Sequence, residues 1–443
     1  MSLKQLCFTV FFLDAIMASA QTIVMLKTDG PEAEIKVSKI SDPISFSEDK
    51  VVNATIEASY RAISLPDSGF YVFRSKEIEA GLQALNFDTL WMELNLKKQR
   101  FIYLKGKSVK DLCEMERIDS LCDVKLYEWL PQPLTKRVKE IKYFSDTLKT
   151  AYAQYPTGWV KDYLKYRTAS IEISLDVGRR TMLMERYFGG PSQPWNYAWI
   201  ESFRYLFDGY VVQKTNGRYG AALDSALKKG EFEAIYTLCS KDSLKISPEN
   251  RELAVLFELS NVAHDKRYGK EKLTQAVTEL KEQTLFASVR KSASIILERW
   301  SRYEKGKFVE DFSYLDSGLV KKFSDLKGKV VYIAYYPDFN QSTRRDLLLL
   351  KALQIKFNKE IAFLAVVNTK EIQGLRHAAK QLACGFSIVA LSECSIEFER
   401  LPEAMDATTY LLMDRKGRFL QAPAEGPATD VEAAFLNAVK EKP

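Results

Sequence analysis

Four polar residues in the C-terminal part of the chain stand where thiol chemistry would need cysteines. Residues 330–335 are apolar and aromatic, residues 343–357 have the spacing of a helix, and the sequence Asn-Gln-Ser-Thr at 340–343 joins them. Cysteines at the first and fourth of these positions could exchange disulfides, because a helix N-terminus stabilises a thiolate. Asn340 and Thr343 hold the two positions, and neither an amide nor a hydroxyl forms a disulfide. The segment therefore predicts a hydrogen-bonded helix start without redox chemistry.

The cysteines are the other candidates for thiol chemistry. One of the six, Cys7, lies in an N-terminal leader described below, and the remaining odd number means that at least one is unpaired or pairs with another chain. Cys113 and Cys122 are close enough in sequence to pair, as are Cys384 and Cys394; alternatively, most of the five are small buried apolar residues. Cys384 and Cys394 are the fallback thiols, although neither is predicted at a helix start.

No other recognised catalytic or metal-binding pattern is present in the sequence. The two histidines, His264 and His377, lie far apart, which disfavours a histidine-based metal centre. Gly106-Lys107-Ser108 is similar to the end of a phosphate-binding loop, but Phe101 stands where the first glycine of such a loop must be. We therefore expect no metal and no cofactor.

The composition is that of a folded protein with ordinary surface charge. The chain has 443 residues, of which 46% are apolar and 28% charged, enough for about three domains of roughly 150 residues. The net charge of +6 comes from 64 basic and 58 acidic side chains. Because this excess is small for the length, we expect no nucleic-acid partner.

The first 20 residues have the pattern of a secretory signal peptide. Lys4 precedes a mostly apolar run over residues 7–17, and Ala18-Ser19-Ala20 has the form of a cleavage site. Asp14 is unusual inside such a run, so a buried first strand or an uncleaved anchor is the alternative. No later run reaches the roughly 18 apolar residues of a membrane span. The pattern predicts export of a soluble mature chain into an oxidising compartment.

Three patterns of secondary structure follow one another after the leader. Residues 21–125 contain short alternating runs separated by Asp, Gly, Ser and Pro, which predicts a small β-sandwich. Residues 126–305 show helical spacing, and their aromatic stretch over 195–210 is predicted as core, with a groove for a peptide as the alternative. Residues 306–443 alternate strands with helices and close with a hairpin and a helix, which predicts a mixed sheet covered by helices.

Several segments of this last part carry a family resemblance. They are Asp311-Phe312-Ser313, residues 326–332, the helix after Thr343 and residues 409–418. They resemble the TlpA-like (redoxin) branch of the thioredoxin superfamily, and the order of the three parts is similar to exported multi-domain proteins of Bacteroidota-type bacteria. The resemblance implies a multi-domain chain located in the periplasm or cell envelope.

The leader and the three patterns that follow it predict the division of the chain, and the order of parts in the family that it resembles agrees with this division. A signal peptide would span 1–20, a β-sandwich-like domain 21–125, an all-α middle domain 126–305 and an α/β thioredoxin-like domain 306–443.

The chain departs from this family at two places that face each other in active members. Those members carry cysteines at the positions of Asn340 and Thr343, and a cis-proline just before the strand that begins at Thr409. Here Thr408 stands at the proline position, preceded by Ala407. A cis bond before a residue other than proline costs about 3 kcal/mol, so we expect a trans bond and a reshaped loop. Both departures imply that the disulfide site has been abandoned.

The leading hypothesis is a cell-envelope protein whose redox-inactive domain binds or assembles polypeptide partners, with no catalytic residue. Asn340 or Ser342 would cap the helix, and Arg344 and Arg345 would add positive charge for a carboxylate or small anion. The predicted binding residues are Tyr336, Phe339, Asn340, Ser342, Thr343, Arg344 and Thr408. The competing hypothesis is a thiol-disulfide oxidoreductase or isomerase that uses Cys384 and Cys394. A structural spacer is the third.

Overall fold

The computed structural model describes residues 22–42, 44, 47–75, 78–84, 88–175, 179–265, 267–309, 311–316, 319–367, 372–390 and 408–440. The chain is multi-domain and forms two compact units, which divide between Ile295 and Ile296. The predicted signal peptide, Ala407 and Cys394 lie outside the described residues. None of the described helices is both long enough and apolar enough to cross a membrane.

The first unit begins with two four-stranded sheets. The strands are β1 (Thr22–Thr28), β2 (Ala33–Asp42), β3 (Ser47–Ile56), β4 (Arg61–Leu65), β5 (Gly69–Ser75), β6 (Ile78–Ala84), β7 (Thr89–Asn95) and β8 (Arg100–Lys105). The sheet orders are β4-β1-β7-β8 and β3-β2-β5-β6. Alternate residues of β1 are buried, and both sheets contribute to one apolar core that includes Val24, Leu26, Val37 and Phe73. This two-sheet packing fits the predicted sandwich.

The β-rich part ends earlier than the sequence suggested. The last strand ends at Lys105, and helix α1 (Val109–Trp129) occupies residues that the predicted β-rich domain included up to 125. Its buried residues Leu112, Met115, Ile118 and Cys122 recur at intervals of three and four, which is a helical period and not the alternation of a strand. The remaining domain boundaries stay predictions.

Helices make up the rest of the first unit. They are α2 (Leu134–Tyr152), α3 (Gly158–Ser174), α4 (Arg180–Phe188), α5 (Tyr197–Phe207), α6 (Gly220–Lys229), α7 (Phe232–Ser240), α8 (Pro248–Asn261), α9 (Lys270–Gln283) and α10 (Ala287–Arg302), which continues past the boundary. In α5, Trp199, Phe203 and Phe207 are fully buried and stack in sequence. The aromatic stretch is therefore largely core, as predicted, and α4 is a helix that the sequence analysis missed.

The second unit is built on a five-stranded mixed sheet. Its elements are the hairpin β9 (Ser313–Asp316) and β10 (Leu319–Lys322), then β11 (Val330–Tyr336), α11 (Gln341–Phe357), β12 (Ile361–Val367), α12 (Ile372–Gln381), β13 (Ser387–Ala390), β14 (Thr409–Met413), β15 (Phe419–Gln421) and α13 (Val431–Lys440). The sheet order is β13-β12-β11-β14-β15. Strands β11, β12 and β13 are parallel, whereas β14 runs antiparallel to β11.

This order places β11 at the centre of the sheet. Every residue of β11 is buried, and apolar clusters cover both faces of the sheet. A parallel β-α-β unit followed by an antiparallel hairpin and a helix is the arrangement expected of a thioredoxin-like domain, and it agrees with the mixed sheet predicted from the sequence. The carboxyl end of β11 leads directly into the start of α11, where Asn340 and Thr343 lie.

Candidate functional site

The start of α11 is closed by a hydrogen-bonded cap. Asn340 is the N-cap residue, and its Oδ1 accepts a hydrogen bond from the Thr343 backbone N–H at 3.1 Å. The Asn340 Nδ2 donates to Asp338 Oδ1 at 3.0 Å, and the Thr343 hydroxyl donates to the Asp338 carbonyl oxygen at 3.1 Å. Of the two predicted caps, Asn340 is therefore confirmed. The cap uses polar groups of Asn340 and Thr343, the two positions where the resemblance implies cysteines.

The loop between β11 and α11 is fixed by an aromatic contact. A Cβ atom built at Gly374 in α12 would lie 2.7 Å from Cδ1 of Phe339, so the ring lies directly against the glycine backbone. Phe339 also packs against the core of the second unit. The ring consequently holds Asp338 and Asn340 in place, and only part of its surface faces solvent.

Two of the predicted binding residues are buried. Tyr336 is 0% exposed and Thr343 is 2% exposed. Tyr336 shares the core-facing side of β11 with Val330 and Tyr332, since alternate residues of a strand point to one face. Thr343 turns inward because its hydroxyl bonds to Asp338. As a correction to the prediction, neither side chain presents a surface to a partner.

Four other predicted binding residues are exposed. Asn340, Ser342 and Arg344 lie at the surface in or beside the first turn of α11, and Thr408 lies at the surface just before β14. The guanidinium Nη2 of Arg344 donates to Gln381 Oε1 at 2.9 Å, which joins α11 to the end of α12. The peptide bond between Ala407 and Thr408 involves a residue outside the described ranges, so the expected trans bond stays a prediction.

A cluster of tyrosines around one carboxylate lies beneath the cap. Asp346, one helical turn after Thr343, is buried, and its Oδ2 accepts a hydrogen bond from the Tyr410 hydroxyl. The Tyr410 ring stacks on Tyr332 at 5.9 Å and meets Tyr336 edge-on at 6.5 Å. Burial raises the pKa of all three tyrosines far above the ordinary value, so the phenols stay protonated. The sequence analysis missed this cluster.

The described thiols are poorly suited to redox chemistry. Cys113, Cys122, Cys239 and Cys384 are free of disulfides. Burial raises the pKa of Cys122 and of Cys239 to about 12, and it also raises the pKa of Cys113 and of Cys384. Because the thiolate is the nucleophile in disulfide exchange, these shifts make the thiols slow to react near neutral pH.

The fallback thiol Cys384 lies at the wrong end of a helix. Its backbone N–H bonds to the Ala379 carbonyl oxygen at 2.9 Å, just past the C-terminus of α12. The C-terminal end of a helix carries partial negative charge, which disfavours a thiolate. As the sequence predicted, this cysteine follows a helix and does not begin one. Within the part of the chain that the structure describes, no three His, Cys, Asp or Glu side chains gather as metal ligands would.

Neither a protein-family model nor a curated protein matches the sequence. Among solved structures, the chain is similar to a candidate thiol-disulfide oxidoreductase from Bacteroides vulgatus, with 21% identity over 31% of this chain and 99% of that chain and a TM-score of 0.28. It is also similar to a candidate thiol:disulfide interchange protein DsbE from Chlorobium tepidum, with 22% identity over 31% and 98% of the two chains and a TM-score of 0.27.

A third similar structure is the C-terminal domain of a candidate thiol-disulfide oxidoreductase from Bacteroides thetaiotaomicron. It shares 19% identity over 32% of this chain and 99% of that chain, with a TM-score of 0.27. Each of these likenesses covers about a third of the present chain. At such identities and TM-scores they carry no argument about chemistry, which rests on the residues described above.

Proposed function

We propose that the second unit is a redox-inactive thioredoxin-like domain of TlpA type, in an exported cell-envelope protein that binds or assembles polypeptide partners. The observation that carries the proposal is the cap at the start of α11. Asn340 and Thr343 stand where a redox pair would be, and their polar groups are used in bonds to each other and to Asp338. Asn340 and Thr343 therefore stabilise the helix start and do not take part in disulfide exchange.

The state of the remaining thiols supports the same proposal. Cys384, the described thiol that belongs to the second unit, has a raised pKa and lies at a helix C-terminus. A nucleophilic cysteine needs a helix N-terminus or a cation whose effect outweighs burial, whereas the charge of Lys351 only partly offsets the burial of Cys384. The alternative of an oxidoreductase would therefore depend on Cys394, which lies outside the described residues.

The outer face of α11 supports binding of a polypeptide. Leu348 and Ile355 are 50% and 67% exposed, and their seven-residue spacing places them on one face of the helix. Arg344 lies on the same face one turn before Leu348 and is also exposed. We name Arg344, Leu348 and Ile355 the α11 face. Exposed apolar side chains next to a positive helix start fit an extended peptide that has apolar residues and a carboxylate.

Two assays on the purified mature protein test the two parts of the proposal. The first is reduction of insulin disulfides, with thioredoxin as the positive control and free thiols counted on the same sample. We expect no turnover. Turnover that disappears in the Cys384→Ser/Cys394→Ser variant would overturn the proposal and establish the oxidoreductase instead.

The second assay measures binding of a fluorescent, reduced and alkylated model polypeptide by anisotropy. We expect the wild-type protein to bind, and Leu348→Glu/Ile355→Glu to weaken binding about tenfold or more, because both changes place charge on the α11 face. Leu436→Glu is the matched control, since Leu436 is 46% exposed on another helix of the same unit. Equal binding by all three proteins would contradict a partner site on the α11 face.

A further inference from the structure

The first unit contains a cavity of about 540 Å³ that is separate from the α11 face and from the helix start at Asn340. One wall is the β5–β6 edge of the sheet, and the opposite walls come from α1, α3 and α5. Small-molecule sites in proteins usually enclose roughly 300–1,000 Å³ and combine apolar and aromatic walls with a few polar groups. This cavity, which we name the β–α cavity, has that size and lining.

The sheet side of the β–α cavity is formed by residues that face each other across two strands. Phe70 is paired with Gln83, and Val72 with Gly81. A Cβ atom at Gly81 would lie 2.2 Å from Cζ of Phe70, so the Phe70 ring occupies space that only a glycine leaves open. The same ring stacks on Tyr197 of α5, with the centroids 4.2 Å apart and the planes at 23°. The result is an aromatic platform held between the sheet and a helix.

The amide of Gln83 has no partner in the described protein. The residue is 6% exposed, and both its Nε2 and its Oε1 are buried without a hydrogen bond. Buried side-chain amides in folded proteins are almost always hydrogen-bonded, and an exception needs an explanation. Since Gln83 lines the cavity beside Phe70, a polar group of a bound molecule would supply the missing partner.

The charges around the β–α cavity favour a positively charged molecule over a negatively charged one. Six carboxylates line it but only two guanidiniums, those of Arg74 and Arg167. Arg74 pairs with Glu48 and Glu79, and Arg167 with Asp119 and Asp123. The other two carboxylates belong to Glu116 and Glu201, whose side chains reach solvent.

Both cations are therefore already matched by carboxylates, and negative charge remains. Partial burial raises the pKa of Asp119 and of Glu201, and the charge of Asp123 adds to both shifts. A negatively charged molecule would meet repulsion here, whereas a cation would relieve it.

We propose that the β–α cavity binds a small organic cation, an amine or guanidinium whose charged group lies near Glu116 and Glu201. Its carbon skeleton lies against the Phe70–Tyr197 platform, which offers it an apolar aromatic surface. A donor or acceptor on the molecule bonds to the Gln83 amide. The site belongs to the first unit and is independent of the function proposed for the second.

Calorimetric titration of the full mature protein with agmatine tests the proposal. We expect saturable binding that weakens as salt is added, because the attraction is electrostatic. N-butylurea, a neutral molecule of similar shape, and succinate, an anion, are the ligand controls, and neither should bind. N-acetylarginine amide carries one guanidinium on a peptide-like group, whereas agmatine carries a guanidinium and an ammonium. Its affinity is therefore compared with that of butylguanidine, which has the guanidinium alone, to distinguish a side chain from a free ligand.

Three variants test whether agmatine binds in the β–α cavity. Glu116→Gln/Glu201→Gln should weaken agmatine binding about fivefold, the effect of removing two partly screened charges. Gln83→Met should weaken it to a similar degree by removing one hydrogen-bonding group. Glu282→Gln, an exposed carboxylate in the same unit, should bind as the wild type does.

The proposal would be overturned by an absence of agmatine binding at millimolar concentration, or by equal binding of agmatine and N-butylurea. It would also be overturned if the Glu116→Gln/Glu201→Gln variant, whose two positions are at the surface and should not disturb folding, bound agmatine as tightly as the wild type. Circular dichroism on each variant separates a lost site from a lost fold. For Gln83→Met, a folded protein with unchanged affinity would exclude the amide as a contact.

Discussion

The side chain of Asn340 accepts a hydrogen bond from the backbone N–H of Thr343 at 3.1 Å, across the first turn of α11. The first N–H groups of a helix have no partner within it, so a side-chain oxygen at the N-cap stabilises the helix start. The two residues at the positions where the family resemblance would place cysteines thus contact each other through a cap. Substitutions at Asn340 and Thr343 therefore test how much the cap stabilises the start of α11.

Asn340→Ala should loosen the start of α11. Loss of an N-cap side chain typically costs about 1 kcal/mol, so the amide hydrogens of residues 341–344 should exchange about fivefold faster, as followed by mass spectrometry. Asn340→Ser should exchange nearly as the wild type does, because serine is also a good cap. Gln341→Ala, which changes the next exposed residue, is the control. Unchanged exchange in Asn340→Ala would show that the cap adds nothing to the stability of the helix start.

Cysteines introduced at the two cap positions should form a disulfide. In Asn340→Cys/Thr343→Cys the two sulfurs would lie one turn apart at a helix N-terminus, where the helix and the nearby Arg344 favour a thiolate. We expect two fewer free thiols after mild oxidation than after reduction, as counted with Ellman's reagent. The single variant Asn340→Cys should lose none. No change in the double variant would mean that the backbone at 340–343 differs from that of a redox site.

The parts of the fold that local patterns determine were predictable from the sequence. The apolar run of β11, the cap at Asn340 and the hairpin strand Thr409–Met413 follow from neighbouring residues, and the structure contains each of them. Helix α1 was missed because its three- and four-residue spacing begins directly after a series of strands. A single sequence therefore predicts the secondary structure of a segment best where the residues of that segment determine it.

Contacts between distant segments could not be predicted in the same way. Tyr410 and Asp346 are 64 residues apart, and their hydrogen bond depends on β14 pairing with β11. The β–α cavity likewise depends on the pairing of Phe70 with Gln83 and on α5 packing against them. The sequence offered two hints, Asp346 on the apolar face of α11 and Gln83 in a strand. Neither residue indicates which distant residue it contacts.

The hydrogen bond between Tyr410 and Asp346 should contribute measurably to stability. Tyr410→Phe leaves a buried carboxylate without its donor, which costs about 1–3 kcal/mol. Asp346→Asn keeps a side-chain oxygen that can accept the bond and should cost less. The double variant should lose less unfolding free energy than the two single variants lose together, since each change already removes part of the same interaction. The measurement is urea unfolding, and strictly additive losses would contradict a coupled pair.

The turn between β14 and β15 should make the second unit sensitive to acid. Asp414 is buried, which by itself would raise its pKa, but its carboxylate accepts hydrogen bonds from the backbone of Lys416 and from the backbone and guanidinium of Arg418. These bonds outweigh the burial and lower the pKa. A lowered folded-state pKa stabilises the protein above the unfolded value of about 3.9, and the contribution is lost as the pH falls through the folded value.

Asp414→Asn should therefore lower stability at pH 7 and flatten its decline on acidification. Thermal unfolding between pH 7 and pH 2 measures both effects, because asparagine keeps the shape of the side chain but has no carboxylate to protonate. Asp430→Asn, an exposed aspartate in the same unit, is the matched control and should keep the wild-type slope. The assignment would be wrong if Asp414→Asn lost as much stability between pH 5 and pH 2 as the wild-type protein, since another group would then carry the acid sensitivity.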